Sequence, residues 1–195
     1  KILVADMSSD ILSQPVNVND YGMIYFGVQK NVGPAGVVVV IIREDLIRDD
    51  VMEGTPTMLK YKTQADANSL YNTPPAYGIY ICGKVFKHLK KLGGLEKMKE
   101  LNEKKAKLLY EFLDNSELFK GTVVPKDRSL MNVPFVTGDK DLDAKFVKEA
   151  TEAGFVNLKG HRTVGGMRAS IYNAMPYEGV EKLVEFMTEF EKNNK

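Results

Sequence analysis

Three short segments carry residue types that could do chemistry: ILVAD (residues 2–6), FGVQKNVGPAG (26–36) and GHRTVGGMRAS (160–170). Lys30 stands between Gln29 and Asn31, at the end of an apolar run and just before a turn rich in Gly and Pro. An ammonium buried without a partner is costly, and such an amine tends to give up its proton. A deprotonated lysine is a nucleophile that condenses with an aldehyde as a Schiff base. The alternative is a buried stem with its head in solvent. Asp6 ends one apolar run and Lys30 follows another, MIYFG. In a parallel sheet the carboxyl ends of the strands share one edge, where ligands bind. Acid and amine could then face one crevice, although Asp at a strand end also serves simply as a turn residue.

An amine for an aldehyde, with a carboxylate that keeps a pyridine nitrogen protonated, is the pair a pyridoxal phosphate site needs. The third segment adds His161, Arg162 and Arg168 among glycines that let backbone approach a ligand. Guanidinium groups bind carboxylate and phosphate in a bidentate manner. Taken singly, these are surface charges in a turn. Together they suggest a substrate with more than one anionic group.

The elements that must position these residues follow from pattern. The runs ILVAD, MIYFG and GVVVVIIR read as strands, and all-apolar strands suggest a sheet covered on both faces, as in α/β proteins. Residues 44–72 read as polar and irregular. Ile81, Val85, Leu89 and Leu92 recur at helical spacing and Gly93-Gly94 ends the run. A second helix carries Leu95, Met98, Leu101, Leu108 and Phe112 on one side. Nine lysines between Lys84 and Lys107 interleave with glutamates and read as a solvated face. From Lys120 the pattern is that of a smaller unit. GTVVP, MNVPFVTG, FVNLKG and MRASIYN are strand candidates. Asp141 is placed to cap a helix bearing Phe146, Val147 and Ala150, ended by Gly154. Val180, Leu183, Val184, Met187 and Phe190 mark a final helix.

With 195 residues and 44% hydrophobic content, the chain suffices for one medium domain, or a small domain with part of another. A formal net charge of +1 gives no electrostatic case for nucleic acid or an anionic membrane. The longest apolar run, Gly36 to Ile42, is far short of the ~20 residues a membrane-spanning helix needs. The single cysteine, Cys82, cannot form an internal disulfide, which points to a reducing cytosol, and its apolar surroundings mark it as a core thiol. The chain opens KILVADMSSD, without Met or a signal peptide, and Ile2 to Ala5 read as a strand already buried. The expectation is a piece of a longer protein.

VADMSSD, YFGVQKNVGPAG, YNTPP and GHRTVGGMRASIYN, in this order and spacing, resemble the phosphoserine aminotransferases, pyridoxal-phosphate enzymes of fold type I. The resemblance runs over essentially all 195 residues and covers the carboxyl-terminal part of the family's chain. It implies an α/β fold in three parts. Residues 1–75 would be the carboxyl-terminal part of a large cofactor-binding domain, with a mainly parallel sheet and helices. Residues 76–119 would be linking helices, and 120–195 a small carboxyl-terminal α+β domain. It implies that Lys30 condenses with the cofactor and shuttles a proton, and that Asp6 bonds the pyridine nitrogen. Gln29 would help hold the cofactor phosphate. Asn72 and Thr73, otherwise an ordinary helix-entry turn, would reach the cofactor phosphate of a partner subunit in a homodimer. Arg168 would clamp the substrate carboxylate. His161 and Arg162 would bind the phosphate of phosphoserine or the distal carboxylate of glutamate. No metal site is implied.

The implied reaction exchanges an amino group between L-glutamate and 3-phosphooxypyruvate, giving O-phospho-L-serine and 2-oxoglutarate in serine biosynthesis, with a further role in pyridoxine biosynthesis, in the cytoplasm. The family's cofactor-stacking aromatic and a further substrate arginine come from an amino-terminal portion outside these residues, and this chain has no Trp. Two other readings stand beside it: a non-catalytic module made of a truncated fragment, and a related class-V aminotransferase with another substrate.

Overall fold

The computed structural model describes residues 1–194. Two compact units are present. The first comprises Lys1–Ile11 and Val16–Lys91; the second comprises Leu12–Pro15 together with the chain from Leu92.

The first unit is built on a three-stranded sheet in the order β1 (Val4–Asp6), β2 (Met23–Gly27), β3 (Val38–Ile42). β1 and β2 run parallel, with Asp6 opposite Tyr25; β2 and β3 run antiparallel, with Gly27 opposite Val38. The three apolar runs thus form the expected strands, but the sheet is mixed. It is not covered on both faces. Val38 is 68% exposed, and Val40 and Ile41 are exposed as well. Ile2, Leu3 and Val4, expected to be buried, are each about half exposed, because among the described residues β1 pairs on one side only. Residues 44–72 hold two single 3-10 turns and a short helix, α1 (Tyr61–Asp66). Helix α2 (Ala76–Leu92) buries Gly78, Cys82 and Leu89, and Gly93 stops it at φ 110°. Only glycine adopts that backbone without strain.

In the second unit α3 (Gly94–Asn115), α4 (Lys140–Glu152) and α5 (Tyr177–Asn193) pack with the antiparallel sheet β4 (Lys120–Gly121), β5 (Asn132–Val136), β6 (Met167–Ser170). Phenylalanines fill the centre. The Phe146 ring meets Phe119 and Phe190 edge-on at centroid distances of 5.1 Å each. Such edge contacts add roughly 0.5–1.5 kcal/mol apiece beyond the area they bury. The final helix buries Val180, Leu183, Met187 and Phe190 as its periodicity requires.

Four local expectations need correction. The α4 cap is Asp139, not Asp141: its carboxylate accepts from the Asp141 and Leu142 amides at 2.8 and 3.2 Å. FVNLKG forms no strand, because Asn157 turns the chain at φ 61° and only Lys159 bridges to Met167. Of GTVVP only Gly121 lies in a strand, since Pro125 begins a 3-10 turn directly after Val124. The buried face of α3 runs through Met98, Asn102, Lys105, Leu109 and Leu113, leaving Leu101 39% exposed. Two polar residues occupy that face because backbone carbonyls beside it need donors. Asn102 donates to the Ser13 carbonyl and the Asn173 side chain, at 2.9 Å each. Lys105, 3% exposed, donates to the carbonyls of Ile171, Tyr172 and Met175 at 3.1, 2.9 and 3.0 Å. Lys105 is therefore the exception among the nine lysines read as solvated.

Candidate active site

Lys30 and Asp6 both belong to the first unit. Because β1 and β2 are parallel, Asp6 at the end of β1 and the turn after Gly27 emerge at the same edge. The turn is tightly determined. Val28 and Val32 are fully buried, and the Val28 carbonyl accepts from the amides of Val32 and Gly33 at 3.1 and 2.7 Å. Asn31 is buried and donates to the Ile11 carbonyl at 3.0 Å. Helix α2 presses on the loop from beyond: a Cβ at Gly33 would stand 2.7 Å from the Cys82 sulfur, and one at Gly78 would stand 2.7 Å from a Val37 methyl. Cys82 is thus the core thiol its surroundings suggested.

With Val28, Asn31 and Val32 facing inward, Gln29 and Lys30 are left facing outward, and both are exposed. Of the two readings of Lys30, the buried amine is therefore not the one observed: the turn reverses the chain between β2 and β3 and leaves the side chain outside. The Gln29 amide folds back over Gly27, filling the space a side chain there would occupy.

Asp6 is exposed, yet its carboxyl lies below the ordinary carboxylate value. The Ser8 hydroxyl and then the Ser8 backbone amide hydrogen-bond it, and the positive charge of Lys30 and the Tyr25 hydroxyl add to the effect. The Ser8 amide stands 2.9 Å from the Asp6 Oδ1. Asp6 is therefore both the turn residue of the simpler reading and a carboxylate held ionised close to an amine. Ser8 was missed by sequence reasoning, although a serine two residues after a strand-end Asp is the spacing of a side-chain-closed turn.

Asn72 and Thr73 are exposed at the entry of α2, where the Asn72 amide donates to the Thr73 carbonyl at 3.1 Å. They sit among exposed Leu70, Tyr71, Tyr77 and Tyr80.

His161, Arg162 and Arg168 belong to the second unit. His161 and Arg162 lie on a loop closed by the His161 carbonyl, which accepts from Val164 and Gly165 at 2.9 and 2.7 Å. The His161 Nδ1 hydrogen-bonds the Thr163 hydroxyl at 2.7 Å. Glycine is required here, since Gly165 and Gly166 have φ of 80° and 62°, and a Cβ at Gly160 would collide with the Gly165 carbonyl. Gly160→Ala is expected to destabilise the protein by about 1–3 kcal/mol, read as a lowered urea midpoint at unchanged slope. Both His161 and Arg162 line a cavity of about 530 Å³, together with Lys140, Lys159, Asp143 and the glycines of the loop. Arg168 is not in its lining. It is half-buried on β6 opposite Pro134, and its Nε is buried without a hydrogen-bond partner. A buried guanidinium N–H left unmatched is the sort of group a bound carboxylate satisfies.

The family model described as aminotransferase class-V matches residues 1–183. The chain belongs to the class-V aminotransferase family. A phosphoserine aminotransferase of Streptococcus uberis is 59% identical over 193 residues, covering 98% of this chain and 52% of its own. The solved phosphoserine aminotransferase of Bacillus circulans subsp. alkalophilus superposes with a TM-score of 0.93 at 50% identity, over 100% of this chain and 54% of that one. A pyridoxal-phosphate-bound phosphoserine aminotransferase of Trichomonas vaginalis gives 0.90 at 43% identity, over 96% of this chain and 53% of that one. The fold is thus that of the fold-type-I aminotransferases, with mixed α/β content. The class-V chain described here spans about half the length of the curated relatives it matches. Among the described residues no helix is long and apolar enough to cross a membrane.

Proposed function

We propose that the chain is the carboxyl-terminal portion of a phosphoserine aminotransferase, a cytoplasmic homodimer that exchanges an amino group between L-glutamate and 3-phosphooxypyruvate to give O-phospho-L-serine and 2-oxoglutarate. The observation that carries this reading is the emergence of Asp6 and the Lys30 turn at one edge of a parallel strand pair, with the Lys30 charge acting on Asp6, in a chain matched almost end to end by phosphoserine aminotransferases. Within it, residues 1–75 are the last part of the large domain, 76–119 the linking helices and 120–195 the small domain.

The residues present fit pyridoxal 5′-phosphate. An exposed amine can reach an aldehyde, and a carboxylate kept below its ordinary pKa can hold a proton on a ring nitrogen. When bound, that cofactor supplies the aldehyde and a positively charged ring that accepts electrons from the substrate Cα. Lys30 would hold the cofactor, and its Nζ would move a proton to and from the substrate Cα. Asp6 maintains the charge on the ring. Gln29 contributes to the phosphate site, as do Asn72 and Thr73 toward the partner subunit's cofactor. Arg168 takes the substrate carboxylate on its fork, and His161 and Arg162 take the distal phosphate or carboxylate. One distal anion site suits a ping-pong exchange in which both substrates occupy the same place in turn. The same site would accept a phosphorylated threonine derivative in pyridoxine biosynthesis.

The distal-anion role is tested by substrate comparison. In the full-length enzyme, Arg162→Ala should lower kcat/KM for phosphoserine by roughly 30–100-fold, the scale of a lost charge-assisted contact. It should leave alanine, which has no distal anion, nearly unchanged. Equal losses would remove Arg162 from that role and favour a class-V aminotransferase with a different substrate. The non-catalytic alternative draws on exposed apolar residues such as Met52 (84%), Tyr77 (74%) and Leu59 (71%), which suit burial against further protein. Tight, Lys30-dependent cofactor binding by the 195-residue chain would count against it.

A further inference from the structure

Ser8 lies in the turn that leaves β1, with one side chain placed against two elements. Its backbone amide donates to the Asp6 Oδ1 at 2.9 Å, and the neighbouring hydroxyl helps to hold that carboxyl below its ordinary value. The oxygen of that hydroxyl also accepts from the Gly27 amide at 3.0 Å. Accepting there uses a lone pair and leaves the single hydroxyl hydrogen available on the side of the carboxylate. Gly27 is the last residue of β2, and three residues later comes Lys30. The intervening turn is fixed by the Val28 carbonyl bonds and the Asn31–Ile11 bond, so Gly27 and Lys30 have little freedom to move separately. The position next to Ser8 belongs to Gly27, whose open face is occupied by the folded-back Gln29 side chain.

We propose that Ser8 is the positioning residue of the cofactor site: its amide holds the Asp6 carboxylate while its hydroxyl, by way of Gly27, holds the start of the Lys30 turn, and so one residue sets the spacing between acid and amine. The inference rests on the reading of Asp6 and Lys30 as the cofactor-holding pair. Ser8 itself touches neither cofactor nor substrate in this scheme. An alanine at position 8 keeps the backbone amide contact but loses the hydroxyl that accepts from Gly27 and helps to depress the Asp6 pKa, whereas threonine keeps the hydroxyl.

Two measurements, the first on the 195-residue chain and the second on the full-length enzyme, separate this inference from the reading beneath it. The first needs no cofactor. Titration of the Asp6 side-chain carbon by NMR should show a midpoint below 3.8 in wild type, moved up toward 3.8 in Ser8→Ala and restored in Ser8→Thr. In wild type the Gly27 amide resonance should step at the Asp6 midpoint, because Ser8 connects them; this arm requires no variant to fold. The second is titration with pyridoxal 5′-phosphate followed by visible absorbance. Ser8→Ala should weaken binding roughly tenfold, the scale of one lost hydrogen bond to a charged group, and Ser8→Thr should recover it. An Asp6 midpoint indifferent to Ser8→Ala, or a Gly27 amide blind to the Asp6 titration, overturns the proposal. If both carboxylate results hold while the full-length wild type shows no Lys30-dependent cofactor band, the Ser8 linkage stands and the cofactor reading falls.

Discussion

Lys30→Ala in the full-length enzyme lowers turnover by roughly 10²–10⁴-fold or more, while leaving folding stability within about 0.5 kcal/mol of wild type. The two halves of that expectation come from the same geometry. Lys30 is exposed, on a turn whose buried contacts are made by Val28, Asn31 and Val32, so removing its side chain opens no cavity in the core. The chemistry is a different matter. No neighbouring lysine of the turn can replace the amine, since Gln29 and Asn31 flank it. Borohydride reduction followed by peptide mass analysis should place the cofactor on Lys30 in wild type and nowhere in the variant. Normal transamination by a folded Lys30→Ala enzyme would end the proposed function.

Lys105→Met gives the largest expected loss of stability, about 3 kcal/mol or more, measured by urea unfolding at neutral pH. Methionine fits the volume but leaves the carbonyls of Ile171, Tyr172 and Met175 without their donor, and each buried acceptor so orphaned costs about 1–3 kcal/mol before relaxation. The pH dependence carries a definite sign. Burial pushes the Lys105 ammonium down to about 8 from its ordinary 10.5. At neutral pH it is protonated in the folded and unfolded chain alike, with three N–H groups for three carbonyls. Between about 8 and 10.5 the unfolded chain binds more protons, so stability from this group rises with pH. The gap between wild type and Lys105→Met should therefore widen from pH 8 to pH 10. A gap that narrows would mean that the three carbonyls hold the proton more strongly than burial expels it.

How far the molecule could be read in advance varied with the kind of interaction responsible. The three apolar runs of the first unit announced β1, β2 and β3, because strand formation there follows from local composition. The periodic helices α2 and α5 were legible for the same reason. The α3 face was not, because Asn102 and Lys105 are buried by demands made 66 to 89 residues away along the chain. Hydrophobic periodicity registers apolar side chains and says nothing of carbonyls that need donors. Lys30 and Asp6 could be singled out by residue type and strand end. The outward aim of Lys30 could not, since it depends on which members of a six-residue turn are pinned inside. His161 and Arg162 were visible in their glycine-rich setting, whereas the partnerless Arg168 Nε is a property of packing alone.

The close approach of α2 to the Lys30 loop carries a constraint on sequence change. The Cys82 sulfur already fills the volume into which any side chain at position 33 would grow. The two sites therefore share one allotment of space, and neither can enlarge by itself. Alanine at 33 calls for a smaller neighbour at 82, and a bulkier residue at 82 would shove the turn that carries the amine. Paired variation at these positions, with their combined size conserved, is the signature this contact should leave among relatives.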